Sequence, residues 1–355
     1  PPVTLERSLF VSIKIDGMVR VAAATPHVKV ADCPYNKKEM AKMIREAAAN
    51  GASVIAFPEL AMTGYTCGDL FKDRKLMESA KACLFDLIEE TEDLDILCAV
   101  GMPIPSGGAL YNCAAVVSKG RLLGLVPKTH LPNYGEFYEL RQFSSAKTLE
   151  GKAYTIPLCG QNVPFGTALL FCCSGMQDYT FGVELCEDLW TPEPPSIRHA
   201  LNGANVIVNL SASDETTGKD IYREELVGGQ SARLLCGYIY ASAGDGESTQ
   251  DVVYSAHNII AENGRILKKA KRFANETVYS EIDVLRLNAE RRRMTTFETR
   301  MDGYTKIQFA LKIEETELTR YIDPMPFVPG SKTDRERRCD EILSIQAMGM
   351  KKRPE

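Results

Sequence analysis

Three polar side chains stand where apolar runs stop. Glu59 follows Val54-Ile55-Ala56-Phe57-Pro58, Lys128 follows Leu123-Gly124-Leu125-Val126-Pro127, and Cys186 follows Phe181-Gly182-Val183-Glu184-Leu185. Taken singly, each has a plain reading: a solvated carboxylate, a solvated ammonium and a core cysteine. Together they are a base, a cation and a nucleophile at strand ends, where α/β sheets build sites on loops held by a rigid scaffold. A thiol attacks an amide carbon well only as a thiolate, so a base or a cation must lie beside it. A carboxylate such as Glu59 can take the thiol proton, pass it to the departing amine and then activate water. The tetrahedral oxyanion needs a positive group and backbone N–H donors, which Lys128 and the amide of Glu187 can supply. No histidine lies near Cys186 in sequence, and no G-x-S-x-G elbow is present.

The elements that must position these residues follow from periodicity. Val19–Ala24 reads as a first strand. Asn36 is expected to cap a helix with Met40, Met43, Ile44 and Ala47 on one face, ended by Gly51. Val54–Phe57 is β-rich, a longer helix is expected over Leu70–Glu92, and Ile96–Val100 reads as a strand. Ala114–Ser118 and Leu122–Val126 flank Lys119-Gly120-Arg121 as a hairpin; Asn258–Ala261 and Arg265–Leu267 flank Glu262-Asn263-Gly264 in the same way. Thr180–Leu185, Val206–Leu210 and Tyr238–Ala241 are further strands. Mixed hairpins and β-α units predict an α/β fold, a four-layer α/β/β/α sandwich. From about Asn288 the sheet signals fade. Pro324–Pro329 reads as a linker and Thr333–Met350 as a short terminal helix.

Composition narrows the classes. A chain of 355 residues, 45% hydrophobic and 25% charged, suits one large α/β domain with an extension, though length alone leaves two domains open. The formal net charge of -5 gives no sign of a nucleic-acid partner, and Arg291-Arg292-Arg293 and Arg335-Glu336-Arg337-Arg338 read as solvated helix faces. No apolar stretch approaches the roughly 20 residues of a membrane span. Pro1-Pro2-Val3 lacks an initiator Met and resembles neither a signal nor a transit peptide, so a fragment or processed chain is expected. Eleven cysteines without a C-x-x-C pair, and four scattered histidines, predict no structural metal site. Cys98, Cys113, Cys172, Cys173 and Cys236 read as core thiols in a reducing cytoplasm. Asn209-Leu210-Ser211 fits an N-glycosylation pattern at a strand end, and Ser106-Gly107-Gly108 is a loop with no helix behind it.

Longer segments carry a resemblance. Phe57-Pro58-Glu59-Leu60 with Thr63-Gly64-Tyr65, then Pro127-Lys128-Thr129-His130-Leu131-Pro132-Asn133-Tyr134-Gly135-Glu136-Phe137-Tyr138-Glu139, then Glu184-Leu185-Cys186-Glu187-Asp188-Leu189-Trp190 resemble the three catalytic motifs of the nitrilase superfamily, in order. Asn209-Leu210-Ser211-Ala212-Ser213, Ala243–Thr249, Met294-Thr295-Thr296-Phe297, Pro326–Pro329 and Arg338–Ile342 narrow the likeness to the glutaminase domain of bacterial glutamine-dependent NAD synthetases. The resemblance implies Cys186 as nucleophile, Glu59 as general base and Lys128 as oxyanion-stabilising cation. It matches Glu139 to a fourth carboxylate that steadies the lysine, with Glu136 as its competitor. It assigns glutamine binding to Tyr134, Ser213 and Lys219, and extends the pocket to Tyr65, Phe137 and Glu187. Some relatives carry Arg where Lys219 stands, so a single-point ammonium replaces a possible two-point clamp.

The implied domains are an N-terminal extension at 1–17, a carbon-nitrogen hydrolase domain at 18–287, and a C-terminal extension and linker at 288–355 leading to an absent synthetase domain. The implied reaction is hydrolysis of L-glutamine through a cysteine thioester, in a cytoplasmic homo-oligomer that needs no cofactor or metal of its own. ATP and deamido-NAD would belong to the synthetase domain. Two rivals stay open: a free-standing amidase acting on another small amide, and a non-catalytic docking or channelling subunit.

Overall fold

The computed structural model describes residues 17–149, 153–176, 178–301, 303–312 and 318–351. All of the expected N-terminal extension except Gly17 lies outside the described residues, as do Lys352 and Arg353. The chain divides into two units, residues 1–319 and 320–355. In the first unit the strands run β1 (Met18–Ala24), β2 (Val54–Ala56), β3 (Leu97–Ser106), β4 (Ala109–Ser118), β5 (Arg121–Pro127), β6 (Ala153–Leu158), β7 (Gln161–Gly166), β8 (Leu169–Cys173), β9 (Thr180–Leu185), β10 (Val206–Ser211), β11 (Gly237–Ser242), β12 (Ile259–Glu262), β13 (Arg265–Lys269), β14 (Thr277–Asp283) and β15 (Thr305–Phe309). One sheet has the order β14-β1-β2-β3-β4-β5-β7-β6 and the other β13-β12-β11-β10-β9-β8-β15.

Alternation along the strands sorts side chains between two faces. Val21, Ala23, Val54, Ala56, Leu97 and Ala99 meet Val183, Leu185, Val208, Leu210 and Ile239 of the opposite sheet in one buried core. Their neighbours Ala22, Ile55 and Cys98 face outward, against Met40, Ile44 and Ala47 of α1 (Cys33–Ala49) and Leu84 and Leu87 of α2 (Arg74–Glu90). On the other flank, Ala200 of α3 (Pro195–Leu201) and Val227 and Leu234 of α4 (Lys219–Leu234) cover Ile207, Tyr238 and Ile259. Each fully buried Val, Leu or Ile contributes roughly 1.5–3 kcal/mol, which is why the helices lie on the sheets by their apolar faces. The result is the expected four-layer α/β/β/α sandwich.

β1, β2 and β3 run parallel, and so do β9, β10 and β11. Glu59, Cys186 and the Ser211–Ser213 segment therefore leave the ends of parallel strands together. Both expected hairpins form; in the second, Asn263 and Gly264 take φ of 45° and 85°, the left-handed pair that a two-residue turn requires. Gly107 and Gly108 turn β3 into β4.

Several expectations need correction. Asp32, not Asn36, caps α1, accepting a bond from the Tyr35 amide at 3.1 Å. Asn36 lies inside the first turn, fully buried, and donates to Lys29 O at 2.9 Å and Met62 O at 3.2 Å. The helix expected over Leu70–Glu92 is split, because Asp73 caps α2 and a kinked 3₁₀ segment occupies Tyr65–Lys72. Sheet structure continues past Asn288, since β15 pairs in parallel with β8. Arg291, on α5 (Val284–Arg293), is not a solvated face residue: it donates to Leu234 O, Leu235 O and Ala204 O and lies 4.7 Å from the Phe297 ring centroid. Cys172 is half-buried, whereas Cys98, Cys113, Cys173 and Cys236 are buried. In the second unit Pro324–Pro329 has neither helix nor strand, and α6 (Lys332–Lys351) is the expected terminal helix.

Candidate active site

The β2 strand ends in a sharp turn, Phe57-Pro58-Glu59-Leu60, in which Leu60 has φ of 53°. The turn packs directly on Gly101 of β3: a Cβ there would lie 2.3 Å from both Pro58 O and Leu60 N. Gly101→Ala is therefore expected to force the Glu59 turn off β3, at a cost of about 1–3 kcal/mol. Urea denaturation measures this, and an unchanged midpoint would mean that the turn does not depend on that close approach. The Glu59 amide donates to Ser211 O at 3.3 Å, which joins the two sheets at the site.

The Glu59 carboxylate is fixed on both oxygens. Oε1 accepts from Lys128 Nζ at 2.5 Å and from Asn112 Nδ2 at 2.6 Å, and Oε2 accepts from the Ala212 amide at 3.1 Å. Lys128, just beyond β5, also donates to Glu139 Oε1 at 2.7 Å, and that oxygen accepts a bond from Tyr65 Oη, again at 2.7 Å. Glu59, Lys128 and Glu139 are all buried. An ammonium removed from water is tolerable only if paired and hydrogen-bonded, as here. Burial works against the Lys128 charge, but Glu139 and Glu59 outweigh it and hold its pKa well above the usual range. Burial, with Lys128 opposing and Glu59 adding, pushes the Glu139 carboxyl up to about 7. Of the two competing carboxylates, Glu139 is the buried one; Glu136 is exposed.

Cys186 begins a one-turn 3₁₀ segment, Cys186–Leu189, directly after β9. Its φ of 41° is a left-handed conformation that costs a non-glycine residue of order 1–3 kcal/mol, and surrounding contacts must maintain it. The Cys186 amide donates to Asn209 Oδ1 at 3.1 Å. Burial, and after it the Glu59 charge, push the thiol pKa well above its usual range, with Lys128 opposing. The resting group is thus a thiol, within electrostatic reach of Glu59 and Lys128. Asp188 ties the loop to its neighbour: Oδ2 accepts from the Leu185 amide at 3.1 Å, and Oδ1 accepts from the His130 amide at 2.8 Å. One buried carboxylate so links the Cys186 segment to the residues that follow Lys128.

The expected substrate residues fall into groups. Tyr134 Oη donates to Glu187 at 2.6 Å, and its ring lies 6.5 Å from that of Phe137. Lys219 Nζ sits 6.0 Å from the Phe137 ring centroid and 5.5 Å from that of Trp190, and pairs with Asp214. Ser213 is buried and its hydroxyl accepts from Arg223 at 3.2 Å. Tyr65 joins the buried carboxylates through its bond to Glu139, and with Glu139 and Phe137 it lines a cavity of about 290 Å³. Glu247 holds the Tyr65 segment, accepting from the Tyr65 and Thr66 amides at 2.7 and 3.0 Å. Asn112, Asp188, Arg223 and Glu247 are absent from the sequence-based site. Asp188 and Glu247 do lie inside the motifs that carried the resemblance, which is the signal that could have found them.

The family model described as carbon-nitrogen hydrolase matches residues 20–292. The glutamine-dependent NAD(+) synthetase of Mycobacterium tuberculosis is 37% identical over 355 residues, which cover 97% of this chain and 52% of that protein. The Mycobacterium leprae protein of the same name is 34% identical over 348 residues, 95% of this chain and 51% of that protein. The chain thus spans about half the length of these curated relatives. Among solved structures, a glutamine-dependent NAD(+) synthetase from Cytophaga hutchinsonii has a TM-score of 0.66 at 29% identity, covering 75% of this chain and 43% of that one. An amidase from Nesterenkonia sp. has a TM-score of 0.58 at 17% identity, covering 78% and 95%, a likeness of fold alone. With a family match across most of its length and this fold, the chain belongs to the carbon-nitrogen hydrolase family.

Proposed function

We propose that the chain hydrolyses the side-chain amide of L-glutamine to glutamate and ammonia through a thioester on Cys186. The observation that carries this reading is Lys128, buried between Glu59 and Glu139 where the strained Cys186 turn leaves its strand. Glu59 takes the thiol proton as sulfur bonds to the amide carbon, and the oxyanion forms against Lys128 and the Glu187 amide. Collapse breaks the C–N bond, and Glu59 returns the proton to the departing ammonia. Glu59 then deprotonates water, which attacks the thioester and frees glutamate and the thiol. None of these steps calls for a metal or cofactor.

Selection of glutamine rests on charge. An α-amino acid presents an ammonium and a carboxylate; Glu187 offers an acceptor to the first, and Lys219 with Ser213 offers donors to the second. Asp214 pairs with Lys219, so the substrate carboxylate would share that ammonium. The relatives' names support a destination for the ammonia. We place the hydrolase in residues 18–287 and take 288–355 as the extension towards a synthetase domain that uses ATP and deamido-NAD.

Covalent trapping tests the substrate. A chloroketone analogue of glutamine should add once at Cys186, as seen by intact mass and peptide mapping. Ser213→Ala and Lys219→Ala should each slow that addition about 10- to 100-fold, the loss of a hydrogen bond to a charged group. Iodoacetamide, which lacks the α-amino acid, should label Cys186 at the parent rate in both variants. Equal slowing towards both reagents would mean these residues shape the site without reading glutamine. Equal labelling by an analogue stripped of its α-amino acid would favour another small amide as substrate.

A further inference from the structure

The Cys186 amide bond to Asn209 is the first link of a longer buried chain. Asn209 Nδ2 donates to Tyr238 Oη at 3.1 Å, and Tyr238 Oη in turn donates to Glu184 Oε1. Glu184 Oε2 accepts from the Ser196 amide at 2.8 Å, and Ser196 Oγ accepts from Gln230 at 3.0 Å. Asn209, Tyr238 and Ser196 are fully buried and Glu184 is 1% exposed, so water does not substitute for a missing link.

The chain has a direction. The Cys186 N–H needs an acceptor, so the Asn209 amide must turn its oxygen towards Cys186 and its NH₂ towards Tyr238. Tyr238 must then receive on its oxygen, which obliges its hydrogen to point to an acceptor, and Glu184 supplies one. Burial pushes the Glu184 carboxyl up to about 7, with Tyr238 opposing, so above that pH the ionised acceptor-only form completes the chain. Take away the phenol hydrogen bond and the Asn209 amide loses one of the two partners that fix which way it faces. Flipped, it would set NH₂ against the Cys186 N–H. The positive φ at Cys186 would then lose one of the contacts that maintain it. Because the Cys186 amide is already committed to Asn209, it also drops out as an oxyanion donor. That duty falls to the next amide and to Lys128.

We infer that Asn209, Tyr238 and Glu184 are positioning residues that act in series to hold the nucleophile's turn, with Glu184 setting the direction of the whole chain. In its effect on turnover the inference rests on the glutaminase reading; in its effect on the Cys186 backbone it does not.

The test uses the full chain at pH 8, with Tyr238→Phe, Asn209→Ala and the double variant. Amide hydrogen exchange at Cys186 should quicken about 5- to 10-fold in Tyr238→Phe, the loss of one hydrogen bond, while Val183 in the middle of β9 keeps its rate. kcat for glutamine should fall by a similar factor with KM unchanged, since the Glu187 and Lys219 groups are untouched. In the Asn209→Ala background, adding Tyr238→Phe should cost no further kcat, because residues in series are not additive. An unchanged Cys186 exchange rate in Tyr238→Phe would overturn the inference whatever the substrate proves to be. So would an equal acceleration at Val183, or additive losses of kcat in the double variant, since each marks a general loosening of the core. Should the parent fail to hydrolyse glutamine while the exchange result holds, the glutaminase reading falls and the positioning chain stands.

Discussion

Cys186→Ala is expected to lower ammonia release from glutamine by roughly 10⁴- to 10⁶-fold while leaving a folded protein. The size follows from the proposed chemistry, in which every turnover passes through a bond to that sulfur. The hydroxyls nearby are committed: Ser211 Oγ shares a 2.6 Å bond with Tyr240 Oη, and Ser213 Oγ accepts from Arg223. The fold should survive because alanine keeps Cβ and loses one sulfur atom, a change of about 1 kcal/mol at a buried site. Cys173→Ala, which empties comparable space in the core between the sheets, should cost similar stability with no loss of turnover. Glutamine hydrolysis at the parent rate by Cys186→Ala would remove the nucleophile assignment. Loss of folding would leave peptide-mapped trapping at Cys186 as the measure of its reactivity.

The principal residues of the proposed site were legible as candidates because each interrupts an apolar run at a strand end, where a polar side chain has no packing reason to be. Glu139 and Glu136 could not be separated that way. Three residues apart in one irregular loop, they differ only in which turns inward, and the contact with Lys128 decides that. Asn112 was hidden for the opposite reason. It sits inside β4, and its use depends on β4 and β5 pairing so that Lys128 N reaches Asn112 O at 2.8 Å. Pairing register across strands is a long-range property that local periodicity does not encode. Arg223, in the charged stretch Lys219–Glu225, has the composition of a solvated helix, yet it is fully buried on Glu215, Ser213 and Asp214 O.

The fold follows the same division. β9, β10 and β11 are buried on both faces and, but for Glu184 and Asn209, read as mainly apolar runs. β6, mostly exposed at the end of the first sheet, and β15, at the end of the second, carry mixed residues with no clear period. Edge strands owe their place to a neighbour's free hydrogen bonds, so their own sequence announces them weakly. Arg291 belongs with these: its three carbonyl acceptors come from the end of α4 and from the loop before β10, two segments far from it in sequence.

Glu59→Gln and Lys128→Met are each expected to cut turnover about 10²- to 10⁴-fold, but by different routes. The Glu59→Gln change keeps the shape and loses the base, so both formation and hydrolysis of the thioester slow. The Lys128→Met change keeps much of the length and removes the cation, leaving two buried carboxylates facing each other without their shared partner. That variant should also lose stability, by about 3–5 kcal/mol. Glu139 then separates the contributions through pH. When ionised it shares the Lys128 ammonium with Glu59; when protonated it no longer pairs its charge with Lys128, and the ammonium settles against Glu59 alone, away from the oxyanion. Since the Glu139 carboxyl is pushed up to about 7, kcat should fall as pH drops through about 7. Glu139→Gln imitates the protonated form at every pH, so it should be slow at pH 8 and keep on acidification only the smaller loss that protonation of Glu184, also pushed up to about 7, contributes through the Asn209 chain. A Glu139→Gln enzyme with the parent's acid limb would move the titration to another group. Near-normal kcat in Glu59→Gln or Lys128→Met would sink the three-residue mechanism itself, because that mechanism takes its base and its oxyanion cation from these two residues.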